Sequence, residues 1–239
     1  MLIKEDWIDN KGVMIHYLDS NEIEGNLAPI FICPGLSESA EDYTNLIHML
    51  ASRRCIVISF RGRGKSDCPD HGYSLEDHER DIEAVVNHLG LKDFYLMGNS
   101  RGVSYTIDYA TRNNKIIKGL IIVDYPALHK KMAEGWADGF FRAFPNTRIK
   151  YAAILGIERE SREIDFNNLL HLIECPTLVM RGVKDSSLLT DEAVVVYLNN
   201  ISKCRVAIFE KAGHRILIDD FEGSVETINT FLRLLDESA

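Results

Sequence analysis

The chain has 239 residues, of which 46% are hydrophobic and 26% charged, and its formal net charge at pH 7 is −9. This composition is typical of a globular protein with one sizeable domain, or with one domain that carries an insertion. The negative charge argues against a general nucleic-acid-binding surface and against binding to anionic membranes.

Neither a membrane span nor a cysteine-based metal site is predicted. The sequence contains no run of about 18 apolar residues, and MLIKEDWIDN lacks the basic and apolar regions of a signal peptide. The five cysteines show no paired spacing, so neither a zinc knuckle nor a redox motif is expected. We therefore expect a cytoplasmic monomer or homodimer whose partner is a small-molecule substrate, with no nucleic-acid or membrane partner.

Apolar, strand-like segments alternate with helical ones along most of the chain. The series begins with DWIDNKGVMIHYLDS, which predicts a hairpin around an Asn-Lys-Gly turn. In chain order there follow strand 29–33, helix 41–52, strand 54–60, helix 74–90, strand 93–98, helix 101–113, strand 117–126, strand 175–182, helix 190–200, strand 204–210 and helix 219–235. Ser74 and Gly90 are the expected caps of the second helix. The alternation indicates an α/β fold, a mostly parallel eight-stranded sheet flanked by helices.

The alternation breaks once, over residues 127–174, which separate two strands by far more than one helix needs. Part of this stretch, DFNNLLHLIE, predicts a helix that leads back into the sheet. The remainder, 127–160, predicts a small helical cap, and 1–126 and 161–239 then form the core domain. The alternative is an elaborated crossover without a separate role.

The segment LMGNSRGVS places a serine where a predicted strand turns into a predicted helix. Gly98, Ser100 and Gly102 form a G-x-S-x-G pattern there. The pattern alone is weak, but a strand–turn–helix context is the one in which such a serine serves as a nucleophile. Two small flanking residues let the backbone take the sharp turn. The competing interpretation is that Ser100 caps the following helix.

A nucleophilic serine needs a general base, and the base needs a carboxylate that orients it. In a parallel sheet these groups are expected just beyond the carboxyl ends of later strands. Asp185 follows the strand at 175–182, and His214 follows the strand at 204–210. The sequence therefore predicts a catalytic triad of Ser100, Asp185 and His214.

These motifs resemble those of the α/β-hydrolase superfamily, and the resemblance covers nearly the whole chain except the predicted cap. SFRGRGKS, GNSRG, IECPTLVMRGVKD and KAGHRILIDD are similar to the family's arginine–glycine loop, nucleophile elbow, acid segment and histidine segment. FICPGLSESAEDY is similar to the segment after the third strand, with Pro34 in place of the usual histidine. The resemblance implies an oxyanion hole formed by the N–H groups of Leu36 and Arg101. It leaves Asp124 as a fallback for the acid, with Asp219 less favoured.

No cofactor and no metal are predicted. RGRGKS ends like a phosphate-binding P-loop, but Ser59 occupies the position that requires glycine. Asp67 stands where G-x-G-x-x-G requires its last glycine. The sequence has no H-E-x-x-H or comparable ligand spacing.

The resemblance implies a serine hydrolase that acts on a small-molecule carboxylic ester, thioester or lactone through an acyl-enzyme. Trp136 and Phe140 of the predicted cap are expected to roof the site and bind the acyl chain. The superfamily also contains lyases and C–C hydrolases with the same triad, as in menaquinone biosynthesis, and small-molecule sensors, including a bacterial stress-signalling type. The sequence leaves these alternatives open.

Arg101 stands directly after the serine, and its guanidinium is predicted to bind an anionic group of the substrate. In the fluoroacetate dehalogenases, which resemble this fold but have an aspartate nucleophile, an arginine at this position binds the substrate carboxylate. Arg215 is a candidate for helping it. The alternative is a structural salt bridge, with Asp67 or a cap carboxylate as the partner.

Overall fold

The computed structural model describes residues 2–21 and 27–238. Its strands are β1 (Lys4–Asn10), β2 (Val13–Asp19), β3 (Ile30–Cys33), β4 (Cys55–Ile58), β5 (Phe94–Asn99), β6 (Ile117–Val123), β7 (Leu128–His129), β8 (Ile164–Asp165), β9 (Thr177–Gly182) and β10 (Cys204–Phe209). Its α-helices are α1 (Thr44–Met49), α2 (Leu75–His88), α3 (Gly102–Arg112), α4 (Trp136–Ala143), α5 (Tyr151–Glu160), α6 (Asp191–Asn200), α7 (Ile216–Asp219) and α8 (Phe221–Asp236). Short 3-10 helices lie at Ala40–Tyr43, Asn114–Ile116 and Asn167–Leu172. None of the helices in this described part is long and apolar enough to cross a membrane.

Eight of these strands form one sheet, in the order β1-β2-β4-β3-β5-β6-β9-β10. β2 pairs antiparallel with β1 and with β4, whereas the other neighbours pair parallel. This arrangement confirms the predicted α/β fold, with a mostly parallel sheet and an antiparallel hairpin at its start. β7 and β8 pair antiparallel with each other, apart from the main sheet.

Helices cover both faces of the sheet, which explains why its central strands are apolar along their whole length. In β5, Leu96 belongs to one hydrophobic cluster, whereas Tyr95 and Met97 belong to the other. The first cluster includes side chains of α2, α3 and α6, and the second includes side chains of α1 and α8. The carboxyl end of β5 therefore emerges from the middle of a tightly covered sheet.

Helix α2 begins and ends as its sequence predicts. Ser74 Oγ accepts a hydrogen bond from Asp77 N at 3.2 Å, and Asp77 Oδ2 accepts one from Ser74 N at 3.0 Å. This reciprocal pair satisfies two N–H groups at the start of the helix. Gly90 follows the last residues of the helix with a φ of 58°, a conformation that favours glycine.

The helix predicted at 219–235 is α8, and Asp220 separates it from the short helix α7. Two other predicted elements differ from the observed ones. The strand predicted at 117–126 ends at Val123, because Asp124 has a φ of 44° in the left-handed region. DFNNLLHLIE contains a 3-10 helix instead of an α-helix.

The insertion, residues 127–174, leaves the sheet after β6 and returns to it before β9. The paired strands β7 and β8 lie at its base. Between them in the sequence, α4 and α5 share a small hydrophobic cluster with Tyr73, which precedes α2. Lys150 N also donates a hydrogen bond to Gly62 O at 2.8 Å. The boundary of a separate cap at 127–160 stays a prediction.

Strand β5 and helix α3 approach their neighbours closely at two glycines. A Cβ on Gly98 would lie 2.6 Å from Thr106 Oγ1. A Cβ on Gly102 would lie 2.4 Å from the carbonyl oxygen of Cys33 and 2.5 Å from that of Pro34. These distances leave no room for a side chain, so the turn between β5 and α3 requires both glycines.

We expect Gly102→Ala to lower the free energy of unfolding by about 1–3 kcal/mol, because the new methyl group meets rigid backbone oxygens. Gly139→Ala in α4 is the control, since a Cβ there meets nothing within 4 Å. That change should be neutral or stabilise the protein by up to about 1 kcal/mol. Urea unfolding of the two variants and the wild type measures both effects. Equal stability of the two variants would contradict the proposed steric requirement.

Candidate active site

Ser100 lies in the turn between β5 and α3, at the carboxyl end of the sheet. Its φ is 52°, in the left-handed region that residues other than glycine rarely adopt. Ser100 N donates to Val123 O at 3.1 Å, and Val103 N donates to Ser100 O at 2.9 Å. The serine hydroxyl does not cap α3; it lies 2.9 Å from His214 Nε2. This geometry contradicts the N-cap interpretation.

His214 lies in the loop between β10 and α7, and both of its ring nitrogens are hydrogen-bonded. Nδ1 is 2.9 Å from Asp124 Oδ2, and Nε2 is 2.9 Å from Ser100 Oγ. Because an ionised carboxylate only accepts, Nδ1 carries the proton and Nε2 presents its lone pair to the serine hydroxyl. This tautomer is the one that a general base for Ser100 requires.

Asp124 follows β6, and its carboxylate is fully buried. Oδ2 accepts a second hydrogen bond from Leu188 N at 2.9 Å. Oδ1 accepts hydrogen bonds from Ser187 Oγ at 2.6 Å and Gly182 N at 3.2 Å. Together with the imidazole of His214, these donors compensate a charge that burial would otherwise penalise heavily. They also fix the carboxylate in the position from which it orients the imidazole.

The structure contradicts Asp185 as the acid partner of His214. Asp185 is exposed on the loop after β9, and no hydrogen bond joins it to His214 in the described part of the chain. Asp219 in α7 is exposed as well. The fallback residue Asp124 occupies the place instead. The loop at 182–188 folds over the end of β6 and supplies hydrogen-bond donors to that carboxylate, which leaves the side chain of Asp185 in solvent.

Two backbone N–H groups beside Ser100 match the predicted oxyanion hole. Leu36 lies in the loop after β3, and Arg101 directly follows the serine. Within residues 2–21 and 27–238, neither N–H donates to a protein acceptor. Unpaired donors at this place are what a developing oxyanion needs, and this role stays a prediction.

A cavity of about 430 Å³ opens onto Ser100 and His214. Phe140 and Phe144 both line it, and the binding of an acyl chain by Phe140 stays a prediction. Trp136 is not part of the cavity wall; it packs against Phe140, with ring centroids 5.3 Å apart. Trp136 therefore supports the aromatic wall without reaching the space that a substrate would occupy. No group of three or more His, Cys, Asp or Glu side chains in the described ranges is arranged to hold a metal ion.

The guanidinium of Arg101 is buried and does not line the cavity. Its partners are His129 Nε2 at 3.0 Å, Lys130 O at 3.2 Å and Tyr105 Oη at 3.3 Å. This arrangement contradicts the predicted binding of an anionic substrate group. It also differs from the alternative, a salt bridge with Asp67 or a cap carboxylate, because all three acceptors are neutral.

A ring of hydrogen bonds joins Arg101 to the base of the insertion. Because Arg101 donates to His129 Nε2, the ring proton is on Nδ1, which donates to Ser104 Oγ at 2.9 Å. Ser104 Oγ in turn donates to Arg101 O at 2.8 Å. Burial, reinforced by the positive charge of Arg101, lowers the pKa of His129 to about 3. Neutral His129 therefore fixes β7 to the helix that follows the serine.

A second buried arginine, Arg63, holds the other side of the predicted oxyanion hole. Its Nε donates to Leu36 O at 3.1 Å, and one terminal nitrogen donates to His78 Nε2 at 2.7 Å. His78 stacks on Tyr105 with ring centroids 4.4 Å apart. Burial and the neighbouring arginine charges lower the pKa of His78 well below 6.5, so it remains a neutral acceptor.

Glu38 lies in the cavity wall, and no motif reveals it in the sequence. Its Oε2 accepts hydrogen bonds from Gly35 N at 2.6 Å, Tyr43 Oη at 2.7 Å and Asn99 Nδ2 at 2.9 Å. Burial, and then the charge of Glu38, raise the pKa of Tyr43 well above 10, so its hydroxyl remains a donor. The carboxylate joins the loop after β3 to the residue that precedes Ser100.

Residues 28–157, more than half of the chain, match a family model described as the alpha/beta hydrolase fold. The chain belongs to the α/β-hydrolase fold family. This membership confirms the resemblance that the sequence motifs indicate.

Relatives of this α/β-hydrolase include enzymes with several activities. Haloalkane dehalogenase 2 of Mycobacterium tuberculosis is 31% identical over 118 residues, which make up 48% of this chain and 40% of the dehalogenase. In this match the chain thus spans less than half the length of its relative. A non-heme haloperoxidase of Rhodococcus erythropolis is 24% identical over 250 residues, which cover 85% of this chain and 90% of that protein.

Solved structures with the same fold include two hydrolases. An enol-lactonase from Burkholderia xenovorans superposes with a TM-score of 0.79 at 19% identity, over 95% of this chain and 100% of the lactonase chain. An esterase from Exiguobacterium antarcticum superposes with a TM-score of 0.75 at 21% identity, over 95% of this chain and 98% of the esterase chain. At these identities the likeness establishes the shared fold.

The neutral His129 of this α/β-hydrolase predicts a loss of stability in acid. An unfolded histidine binds its proton near pH 6.5, whereas folded His129 binds one only near pH 3. Between these values the unfolded chain holds more protons, so the free energy of unfolding falls as the pH falls. The glutamine of His129→Gln cannot titrate. Between pH 7 and pH 5 we therefore expect the free energy of unfolding to fall by about 2 kcal/mol less in this variant than in the wild type. Urea unfolding at both pH values measures this, and parallel losses in the variant and the wild type would contradict it.

Proposed function

We propose that this chain is a serine hydrolase that cleaves a small-molecule carboxylic ester, thioester or lactone through an acyl-enzyme. The observation that carries the proposal is the chain of hydrogen bonds from Asp124 through His214 to Ser100, with 2.9 Å at each link. The serine lies in a strained turn, and the imidazole has the tautomer of a general base. The unpaired N–H groups of Leu36 and Arg101 add the donors that acyl transfer requires.

In the first half of the proposed reaction, Ser100 Oγ attacks the carbonyl carbon while His214 Nε2 takes the hydroxyl proton. The buried carboxylate of Asp124 stabilises the imidazolium that forms. The carbonyl oxygen gains negative charge and accepts hydrogen bonds from the N–H groups of Leu36 and Arg101. Loss of one such donor typically costs about 3–4 kcal/mol of transition-state stabilisation. His214 then protonates the leaving group, which departs and leaves the acyl group on the serine.

In the second half, water replaces the leaving group. His214 Nε2 accepts a proton from this water as its oxygen attacks the acyl carbon, and the imidazolium then returns a proton to Ser100 Oγ. The imidazole is 25% exposed, so water reaches it from the cavity. The products are the carboxylic acid and the free serine.

The cavity supports an acyl substrate of modest size. Its volume of about 430 Å³ lies within the range of small-molecule sites, roughly 300–1,000 Å³. Phe140, Phe144 and Ile218 give part of its wall an apolar surface. An aliphatic or aromatic acyl portion would bury apolar area against these side chains.

A serine nucleophile argues against haloalkane dehalogenation by this site. Displacement of a halide from an alkyl carbon by Ser100 would leave an alkyl ether on the serine. An ether has no carbonyl carbon for water to attack, so His214 could not regenerate the enzyme. The names of the enol-lactonase and the esterase, by contrast, denote substrates with an acyl carbon, which is the class proposed for this chain.

The proposed nucleophile predicts the outcome of one substitution. Ser100→Ala should reduce kcat/KM on p-nitrophenyl butanoate by at least about 10³-fold, because the acyl-enzyme cannot form. A fluorophosphonate probe should label wild-type Ser100, and peptide mass spectrometry identifies the labelled residue. Ser202→Ala, at an exposed turn far along the chain, is the control and should keep both properties. Labelling at another serine, or activity that survives Ser100→Ala, would rule out the proposal.

The acid assignment predicts a contrast between two aspartates. Asp124→Asn should lower kcat by about 10³–10⁴-fold, because the amide no longer selects the required tautomer of His214. Asp185→Asn should change kcat less than about twofold, since an exposed side chain without a contact to the imidazole contributes little. Steady-state kinetics on one ester, with circular dichroism to confirm folding, compares them. A larger loss in Asp185→Asn than in Asp124→Asn would restore Asp185 as the acid.

A further inference from the structure

The carboxylate of Glu38 lies beside the proposed nucleophile. The position that a Cβ on Gly35 would occupy is 2.9 Å from Glu38 Oε2 and 3.1 Å from Ser100 Cβ. Glu38 and Ser100 also line the same cavity. An acyl group attached to Ser100 would therefore lie within reach of a carboxylate.

The two oxygens of this carboxylate differ in their surroundings. Oε2 is held by three donors, the N–H of Gly35, the hydroxyl of Tyr43 and the amide of Asn99. Oε1 accepts no hydrogen bond from any residue in the ranges 2–21 and 27–238. The three bonds to Oε2 thus fix the position of the carboxylate, and Oε1 has no hydrogen-bond donor among those residues.

No salt bridge in the described part of the chain neutralises Glu38. A fixed negative charge near the predicted oxyanion hole opposes the negative charge that develops on the carbonyl oxygen. It also repels a substrate that carries a carboxylate near its acyl carbon. A positive group on the substrate would be attracted to Glu38 and would offset the repulsion between Glu38 and the developing oxyanion.

Arg215 is the other side chain of the cavity wall with a permanent charge. It is exposed at the rim, and none of the described residues forms an ion pair with it. Water screens the charge of an exposed side chain, and a long unpaired side chain is free to move away from the cavity. The charge that is fixed next to Ser100 is therefore the negative charge of Glu38.

We propose that Glu38 is a specificity-determining residue that binds a cationic group, such as a primary ammonium, on the acyl part of the substrate. This proposal rests on the acyl-hydrolase function proposed above for the same site. The substrate class is an ester, thioester or lactone with an ammonium group a short chain away from the carbonyl carbon. The ammonium donates a charge-assisted hydrogen bond to Oε1.

The test uses three ethyl esters that differ in the charge at the end of a short acyl chain. They are ethyl 3-aminopropanoate, which carries an ammonium at pH 7, ethyl butanoate, which carries a methyl group, and monoethyl succinate, which carries a carboxylate. Release of protons in a pH-stat gives kcat/KM for each. We expect the wild type to prefer the ammonium ester, and Glu38→Gln to lower the ammonium-to-methyl ratio by at least about tenfold. The intrinsic reactivities of the esters cancel when this ratio is compared between variants.

Two further variants separate charge from packing. Glu38→Asp keeps the negative charge and should keep the ammonium ester ahead of the neutral one. Arg215→Gln removes the positive charge from the rim of the cavity and, because water screens that charge, should raise the ammonium-to-methyl ratio by less than about twofold. An equal ratio in wild type and Glu38→Gln overturns the proposal, and so does a wild-type preference for monoethyl succinate. Failure of the proposed hydrolase function has a different signature. For each of the three esters, the wild type and Ser100→Ala would then show the same rate of hydrolysis.

If circular dichroism shows that Glu38→Gln is unfolded, an inhibition experiment on the wild type alone tests whether the site prefers a cation. Propylammonium and propanoate are compared as inhibitors of ethyl butanoate hydrolysis. We expect the cation to inhibit at a concentration at least about tenfold lower, and we expect added sodium chloride to reduce this advantage by screening. Equal inhibition by the two ions, or stronger inhibition by propanoate, overturns the proposal.

Discussion

A buried carboxylate has to be compensated by hydrogen bonds, and the compensation of Asp124 organises the candidate site. The left-handed turn at this residue ends β6 and directs its side chain under the loop that follows β9. Gly182, Ser187 and Leu188, at the end of β9 and in that loop, each donate a hydrogen bond to the carboxylate. His214, from the loop after β10, donates the fourth. The orientation of the imidazole, and through it the hydrogen bond to Ser100, thus follows from the need to satisfy one buried charge.

Two buried arginines hold the residues that carry the proposed oxyanion donors. Arg63 donates to the carbonyl oxygen of Leu36, and the Arg101 guanidinium is linked through His129 and Ser104 to the carbonyl oxygen of Arg101. In both cases a guanidinium binds a neutral histidine and backbone or hydroxyl oxygens, and no carboxylate takes part. Neutral acceptors satisfy the donors without placing more negative charge beside a site where an oxyanion would form.

The sequence is informative where a short pattern decides the outcome. Strand and helix positions follow from periodicity, the cap at Ser74 follows from local hydrogen bonding, and Ser100 and His214 follow from their places after strands. The choice between Asp124 and Asp185 could not be made in this way, because both follow strand ends and only the long-range folding of one loop decides which is buried.

The direction of the Arg101 side chain and the position of Glu38 depend on contacts between distant segments. Arg101 and His129 are neighbours only because the insertion returns to the helix after the serine. Glu38 reaches Asn99 only because β3 and β5 are adjacent in the sheet. Neither contact has a signature in the residues around it, so the local motifs give a wrong prediction for Arg101 and none for Glu38.

The pairing of β7 with β8 has a consequence for how such a protein can diversify. The insertion begins with β7 and returns toward the sheet with β8, and these two short strands are hydrogen-bonded to each other. Residues added or removed between them alter no strand register and no element of the sheet. Changes of length between β7 and β8 can therefore reshape the aromatic wall above the cavity, provided that contacts such as Lys150 N to Gly62 O are kept, while the serine, the histidine and the buried aspartate stay in place.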